Sequence, residues 1–415
     1  MKRFLLLALL ALSLARPAAA ATIARELAAK GFALVSKHYT VRSRDLDYRD
    51  GDLVSSLSLA ASQGEYEPVT LTVIAGRDLR GVKIAVGGMN GPRRASVPGT
   101  AFEIRSQVAQ TTGSGQAEVA RQLLYPASRP QDMKKDTNVR FWLTVKVPHE
   151  VPPGVYTGAV SVVGEGINVE IPISLRVHAF SHGKLPGRHA VMIGTPDQPI
   201  YYRDCAEHGM TAICSGADGA VKLDENGDVY LPDLEKKLKM AQDVGLGQIF
   251  IAYANFVHTS KVKNSNHILE FHDYVHPARI MKAAMTYRDK ALSLGLPEII
   301  WYIFDEPGRG DKLQLGPLRN RICREVYEQV SQIPGVRTFL TMGHEEAEEF
   351  GKAFSIHCWG GAPIPEFVEL SRKSGAEVWR YSNGISMGTD PLYSRFAMGF
   401  FPWRCGYDGS TSWTY

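Results

Sequence analysis

The sequence predicts a β-sandwich followed by a (β/α)8 barrel of the TIM type. Apolar and polar residues alternate with a period of two from about residue 57 to 180, and no long helical pattern interrupts them. After residue 187, apolar runs alternate with segments of helical period, which is typical of a parallel sheet. The change falls in a Gly- and Pro-containing stretch, residues 181–188.

Half-buried strands of the sandwich are predicted where alternating runs are separated by Gly and Pro. They lie at residues 69–74, 139–147, 155–163 and 167–177. Pro172 lies inside the last of these runs. A proline lacks the backbone N–H that a neighbouring strand would bind, so we expect this strand at the edge of its sheet.

The C-terminal half contains eight apolar runs, and a TIM barrel has the same number of strands. They lie at residues 190–194, 211–214, 249–254, 298–304, 337–342, 354–358, 377–381 and 409–414. Helical periods between them are predicted at residues 234–245, 280–291, 318–330 and 367–374. The alternative is an open doubly wound sheet, but no Gly-rich phosphate-binding turn follows any of these strands.

Two domains are therefore expected, the sandwich at residues 24–183 and the barrel at residues 184–415. The alternative is a single intergrown domain. The chain stops at Tyr415, inside the last predicted strand. Two alternatives are consistent with this end: a barrel without its closing helix, or a truncated gene product.

Residues 1–20 have the layout of a secretory signal peptide. Lys2 and Arg3 are followed by an apolar stretch, residues 4–15, and by small residues up to Ala20. We expect cleavage after Ala20 and export to the periplasm or the extracellular space. No later segment has the roughly 18 apolar residues of a membrane helix, so no membrane span is expected after removal of the signal.

Composition and charge exclude several classes of function. The formal net charge is only +4 and is spread along the chain, so no nucleic acid partner is expected. The five cysteines are widely spaced, without a Cys-x-x-Cys pair, and are expected to pack as small buried apolar residues. His344 and His357 lack the two-histidine spacing of a helical zinc site. Neither a metal nor another cofactor is expected.

Two adjacent acids follow the fourth predicted strand of the barrel. Residues 298–304 lead directly into Asp305 and Glu306, and TIM-barrel active sites lie at the C-terminal ends of the strands. Glycosidic bond cleavage needs one carboxylic acid to protonate the leaving oxygen and a second group to stabilise or attack the anomeric carbon. Adjacent carboxylates in a partly dry cleft repel each other, which favours one protonated and one ionised group. The alternative is a solvated turn or a helix cap.

The acid pair belongs to a set of motifs that resembles a known family. Asp305-Glu306-Pro307 after an aromatic-rich strand, Gly-Glu-Tyr-Glu-Pro at residues 64–68, and residues 147–158 with their Pro-Gly-Val-Tyr-Thr-Gly together resemble glycoside hydrolase family 123 and its uncharacterised relatives. The resemblance covers nearly the whole mature chain. It implies a sandwich followed by a barrel, and cleavage of terminal β-linked N-acetylgalactosamine.

The same resemblance implies a role for each acid. Glu306 would be the general acid/base, and Asp305 would orient the acetamido group of the substrate and stabilise its charge. The acetamido oxygen would then be the nucleophile. Such substrate assistance is a known exception to the usual two-carboxylate geometry.

Further residues after the predicted strands are expected to contact sugar. Aromatic rings can stack on the apolar C–H faces of a sugar, and amide groups can bind its hydroxyls. These candidates are Tyr253, Asn255, Trp359, Tyr381, Asn383 and Trp413. Each can equally be a packing or turn residue, Asn383 above all because Gly384 follows it.

The expected partner is therefore a glycan or glycoconjugate. Two functions stay open at this point: a retaining, exo-acting β-N-acetylhexosaminidase, and a non-catalytic or differently specific glycan-binding relative. The sequence leaves the preferred hexosamine and the oligomeric state open.

Overall fold

The computed structural model describes residues 22–41, 47–108, 123–181, 188–195, 198–215, 222–223, 229–230, 234–246, 248–252, 277–296, 298–302, 316–361, 364–382 and 391–414. The chain divides into two compact units, Met1–Gly183 and Lys184–Tyr415. In the described ranges, no helix is both long and apolar enough to cross a membrane.

The first unit consists mainly of strands. They are β1 (Phe32–Val35), β2 (Leu57–Gln63), β3 (Tyr66–Ala75), β4 (Leu79–Val86), β5 (Met89–Asn90), β6 (Ser96–Val97), β7 (Phe102–Val108), β8 (Leu123–Pro126), β9 (Gln131–Met133), β10 (Asn138–Lys146), β11 (Gly154–Gly164) and β12 (Ile167–Ser181). One α-helix, Ile23–Lys30, precedes them, and short 3-10 turns lie at Asp50–Asp52, Pro92–Arg94 and Gly99–Ala101.

These strands form two sheets that share one apolar core. The first sheet has the order β1-β3-β10-β7-β8, and the second has the order β2-β12-β11-β4-β9 with β5 and β6 beside β11. Along β10, the buried Phe141, Leu143 and Val145 alternate with more exposed residues, as the period of two predicts. They pack in one cluster with Tyr156 and Leu175 of the second sheet.

The expectation that Pro172 marks an edge strand is wrong for the strand as a whole. β12 lies between β2 and β11 and pairs with both. However, its pairing with β2 begins only at Ile173, one residue after the proline, while Pro172 itself lies opposite Ala159 of β11. The proline therefore sits just outside the stretch where a second neighbour would need its N–H.

The second unit contains eight parallel strands that pair in a closed ring. They are β13 (Arg188–Thr195), β14 (Ala212–Ser215), β17 (Gln248–Ala252), β18 (Glu298–Tyr302), β19 (Val336–Met342), β20 (Ile356–Trp359), β21 (Glu377–Ser382) and β22 (Gly409–Thr414), in that order around the ring. A two-stranded hairpin, β15 (Lys222–Leu223) and β16 (Val229–Tyr230), lies between β14 and β17.

Helices follow the strands of the ring along the chain. They span Pro199–Glu207, Leu234–Asp243, Pro277–Ser293, Gly316–Val330, His344–Phe350, Pro365–Lys373, Pro391–Arg395 and Phe401–Arg404, with a 3-10 turn at Gly351–Ala353 and a π-helical turn at Phe396–Phe400. Successive residues of a strand point to opposite faces. On β18, Ile299 and Trp301 pack with residues of the helices, whereas Ile300 and Tyr302 pack inside the ring.

Four charged side chains link the strands at the N-terminal end of the ring, and we call them the ion-pair ring. Arg188 contacts Glu298 at 3.3 Å and Glu377 at 3.4 Å. Arg337 contacts the same two carboxylates, Glu298 at 3.4 Å and Glu377 at 3.1 Å. Trp379 also donates its indole N–H to Glu377 at 3.0 Å. Each carboxylate is thus held by both guanidinium groups.

Candidate active site

The candidate site lies at the C-terminal ends of the ring strands, the end opposite the ion-pair ring. The last residues of these strands are Thr195, Ser215, Ala252, Tyr302, Met342, Trp359, Ser382 and Thr414. In closed parallel barrels this end carries the active site because the loops that follow the strands converge there.

A cluster of aromatic residues fills the interior of the ring, from Trp379 beside the ion-pair ring to Tyr302 at the C-terminal end of β18. Tyr302 and Phe339 contact edge to face, with ring centroids 4.9 Å apart. Phe339 and Trp379 have a similar edge contact at 5.9 Å. The Tyr302 hydroxyl lies 3.4 Å from the Thr341 hydroxyl, and both residues are buried. We call this packed interior the aromatic floor.

Tyr381 is the one sugar-contact candidate whose side chain is described on the interior of the ring. It is 8% exposed and packs with Tyr302 and Trp379 in the interior cluster. The backbone of Gly360, which follows β20, lies directly against it, because a Cβ at Gly360 would come 2.6 Å from the Tyr381 hydroxyl. Tyr381 therefore lies in the aromatic floor with its position set by a glycine.

Trp359 points to the other side of its strand. Its ring lies 4.7 Å from the ring of Phe367 on the helix Pro365–Lys373, and it packs against the core between strands and helices. This contact fits the alternative of a packing residue, and a sugar contact at Trp359 stays a prediction. The reason for the contact is the parity of β20, on which the neighbouring Cys358 faces the interior.

The acid pair itself falls outside the described residues. Asp305 and Glu306 come three and four positions after Tyr302, the last residue of β18. Tyr253 and Asn255, just after β17, and Asn383, just after β21, also lie outside the described residues. Trp413 is on β22, where only its backbone is described.

Tyr302 and Thr341 are interior residues that the sequence reasoning did not single out. Each lies two positions after another interior residue, Tyr302 after Ile300 and Thr341 after Phe339. The alternation along β18 and β19 could have identified them once one interior position was known.

The thiols and the imidazole near this site have structural contacts. His357 is buried, with its Nδ1 3.0 Å from the Ser371 hydroxyl. Burial lowers the pKa of the His357 imidazole to about 4, which keeps it neutral at pH 7. Burial also raises the pKa of the Cys205 thiol to about 11 and that of Cys323 well above its usual value, so both stay protonated. Cys205, Cys323, Cys358 and Cys405 are free thiols.

Comparison with known proteins gives a structural likeness. No family model matches this chain, and no curated protein does. Among solved structures, the chain is similar to a family 123 glycoside hydrolase from Clostridium perfringens studied for glycolipid glycan hydrolysis. The identity is 10% over 92% of this chain and 78% of that chain, with a TM-score of 0.65.

Two further glycoside hydrolases match more weakly. A family 2 enzyme from Bacteroides cellulosilyticus has 11% identity over 85% of this chain and 44% of that chain, with a TM-score of 0.34. A family 20 exo-β-N-acetylglucosaminidase from Vibrio harveyi has 7% identity over 87% and 90%, with a TM-score of 0.32. At TM-scores this low, the two likenesses do not establish a shared fold. The first likeness confirms the resemblance read from the motifs, at the level of the fold: this chain is folded like a family 123 glycoside hydrolase.

Proposed function

We propose that this chain is an exported glycoside hydrolase, a retaining exo-β-N-acetylhexosaminidase that prefers N-acetylgalactosamine. One observation carries the proposal: Asp305 and Glu306 come three and four positions after the last residue of the fourth strand of a closed parallel ring, in a chain folded like a family 123 glycoside hydrolase. In this interpretation the two sheets are a β-sandwich, the ring is a (β/α)8 barrel, and residues 1–20 direct export.

The proposed reaction proceeds in two steps. Glu306 gives its proton to the glycosidic oxygen while the acetamido oxygen of the same sugar attacks the anomeric carbon, so the bond to the leaving group breaks and a cyclic intermediate forms. Asp305 accepts a hydrogen bond from the acetamido N–H and stabilises the positive charge that develops there. Water then attacks the anomeric carbon, Glu306 takes its proton, and two inversions retain the configuration.

Adjacency of the two acids supports this division of roles. Neighbouring side chains can serve one leaving oxygen and one nearby 2-substituent more easily than they can flank an anomeric carbon as acid and direct nucleophile, which needs carboxyl groups about 5 Å apart on opposite sides. The aromatic floor with Tyr302 and Tyr381 supports a sugar substrate, because aromatic and apolar surfaces line most sugar and small-molecule pockets.

Five further residues remain proposed contacts to the sugar. They are Tyr253, Asn255, Trp359, Asn383 and Trp413, which follow or lie on the ring strands β17, β20, β21 and β22. The aromatic members would stack on the ring faces and the amides would bind hydroxyls.

The first experiment tests the activity. The folded, full-length chain is incubated with aryl β-N-acetylgalactosaminide and aryl β-N-acetylglucosaminide, and aryl release is measured. We expect release from both, faster from the galactosaminide. Absence of release from either at high enzyme concentration would favour the glycan-binding alternative. A substrate with hydroxyl in place of the acetamido group is the mechanistic control, because it lacks the nucleophile; equal turnover of this substrate would exclude substrate assistance.

The second experiment separates the roles of the acids. In Glu306→Gln, substrates with poor leaving groups should lose most activity, about 10²- to 10⁴-fold, because an activated aryl group needs little protonation. In Asp305→Asn, activated and unactivated substrates should slow alike, because formation of the cyclic intermediate is impaired for both. Thermal melts near that of the wild type confirm folding. Full activity of both variants would mean that the acid pair is a solvated turn.

A further inference from the structure

The first unit contains a polar groove at β2, the edge strand of its second sheet. The groove has a volume of about 620 Å³, within the range of small-molecule sites. Its floor is formed by residues of β2 and β12, among them Ser58, Ser174 and Arg176. Leu175, between Ser174 and Arg176, is buried in the core. We call this pocket the sheet groove.

One wall of the sheet groove is a loop that the interior of the protein holds in place. The buried Arg140 donates hydrogen bonds to the backbone carbonyls of Val41 at 2.8 Å, His38 at 2.9 Å and Lys37 at 3.3 Å. The Ser36 hydroxyl donates to the carbonyl of Thr70 at 2.6 Å. A guanidinium has five N–H donors in a fixed plane, so three such bonds define the loop conformation. The loop therefore presents its side chains without a large ordering cost.

Arg176 lies in the floor of the sheet groove and is exposed. Its neighbours in register on either side are Ala60 of β2 and Val155 of β11, and neither can pair with a guanidinium. Within the described residues, Arg176 takes part in no ion pair. The small side chain of Ala60 leaves space beside the charge, and Val155 is 46% exposed. Arg176 is thus an exposed cation between two apolar neighbours, Ala60 and Val155.

Around this cation, the sheet groove offers groups that bind hydroxyls. Ser58 and Ser174 lie opposite each other in register, two positions before Ala60 and Arg176 on their strands. Lys37, His38 and Glu67 line the wall. Lys37 also pairs with Asp52 at 3.1 Å, so its charge is partly compensated, whereas Arg176 has no ion pair among the described residues. An exposed guanidinium beside hydroxyls and a carboxylate matches a ligand with one anionic group and several hydroxyls.

We propose that the sheet groove binds an anionic sugar, with Arg176 pairing to its carboxylate or sulfate and with Ser58, Ser174 and Glu67 binding its hydroxyls. Arginine suits both anions because its planar fork can donate two parallel hydrogen bonds to them. This site is separate from the acid pair of the second unit. It would give the enzyme a non-catalytic attachment to acidic glycans.

Calorimetric titration of the full chain tests the proposal with four probes: N-acetylgalactosamine 6-sulfate, glucuronic acid, neutral N-acetylgalactosamine and sodium sulfate. We expect saturable binding of at least one anionic sugar, about tenfold or more tighter than the neutral sugar. The first two probes distinguish sulfate from carboxylate recognition. Equal binding of the neutral sugar, or of inorganic sulfate alone, would overturn the proposal, as would a lack of saturable binding of both anionic sugars.

Variants assign the binding to the sheet groove. Arg176→Gln should weaken binding about tenfold or more, and Ser174→Ala should weaken it severalfold, since each removes a direct contact. The matched control is Arg80→Gln, an exposed arginine on β4 of the same sheet that does not line the groove. Hydrolysis of the aryl substrate should be unchanged in all three variants. If Arg176→Gln binds the anionic sugars as the wild type does, the proposal fails, whatever the outcome for the catalytic acids.

Discussion

Replacing Glu298 by glutamine should measurably destabilise the second unit. The substitution keeps the size of the side chain but removes one of the two carboxylates of the ion-pair ring. Glu298 contacts both Arg188 and Arg337, and its side chain is only 20% exposed. Exposed pairs contribute about 0–1 kcal/mol, whereas removal of one partner from a buried pair costs about 3–5 kcal/mol. Because Glu298 makes two contacts at an intermediate exposure, we expect the free energy of unfolding to fall by about 2 kcal/mol.

The assay is thermal unfolding followed by tryptophan fluorescence. Of the six tryptophans, one, Trp142, lies in the first unit, so the signal reports mainly on the second. For a unit of this size, a loss of 2 kcal/mol corresponds to a decrease in Tm of roughly 4–8 °C. The double variant with Glu377→Gln should show coupling, because the two carboxylates share both arginines.

The control substitution is Glu328→Gln on the surface of the helix Gly316–Val330. Glu328 pairs with Arg324 at 3.7 Å, but its side chain is 56% exposed. We expect the free energy of unfolding to change by no more than about 0.5 kcal/mol, and the Tm by no more than roughly 2 °C. A Tm of Glu298→Gln that matches this control would show that the ion-pair ring does not stabilise the barrel, and the reasoning from burial would be refuted.

Three further predictions follow from single contacts. Because burial lowers the pKa of His357 to about 4, the unfolded state binds a proton between about pH 6.5 and 4 that the folded state does not. The free energy of unfolding should therefore fall by about 1–3 kcal/mol as the pH drops through this range. Urea melts of His357→Asn should lack this fall. Gly360→Ala should displace the Tyr381 ring and lower kcat/KM on the aryl substrate about tenfold, whereas Gly399→Ala, with open space at its Cβ position, should not. Arg140→Met removes three hydrogen bonds from a charged donor to the loop, so it should cost about 2–4 kcal/mol in denaturant unfolding and abolish binding in the sheet groove. A loss below about 1 kcal/mol would contradict the role given to this arginine.

The strands of the ring could be located from the sequence because they are buried on both faces. Such strands appear as continuous apolar runs, bounded by the polar ends of helices and by glycine. The last run was predicted at residues 409–414 and β22 spans Gly409–Thr414, while the run at 337–342 corresponds to Val336–Met342. The helix predicted at residues 318–330 is Gly316–Val330. At these positions, the length of each segment and its hydrophobic period were sufficient to predict the type and the approximate bounds of the element.

Burial on both faces also means that the direction of individual side chains could not be predicted. When a strand is apolar on both faces, as at Ile299, Ile300 and Trp301, the pattern does not indicate which residues face the interior. The pattern therefore did not predict that one side of Trp359 packs against Phe367. Pro172 shows a related problem, since its tolerance depends on where β2 begins to pair, which is a property of another segment.

The ion-pair ring has a consequence for protein engineering. Its contacts join β13 with β18, β13 with β21, and β19 with β21, which are pairs of strands that are not neighbours in the sheet. Such cross-braces at the N-terminal end should hold the strand spacing while the opposite loops change, because stability and chemistry lie at different ends of a barrel. Loops after β17, β18 and β21 are therefore suitable places for grafting new specificities, and variants that keep the four charged residues should tolerate the longest insertions.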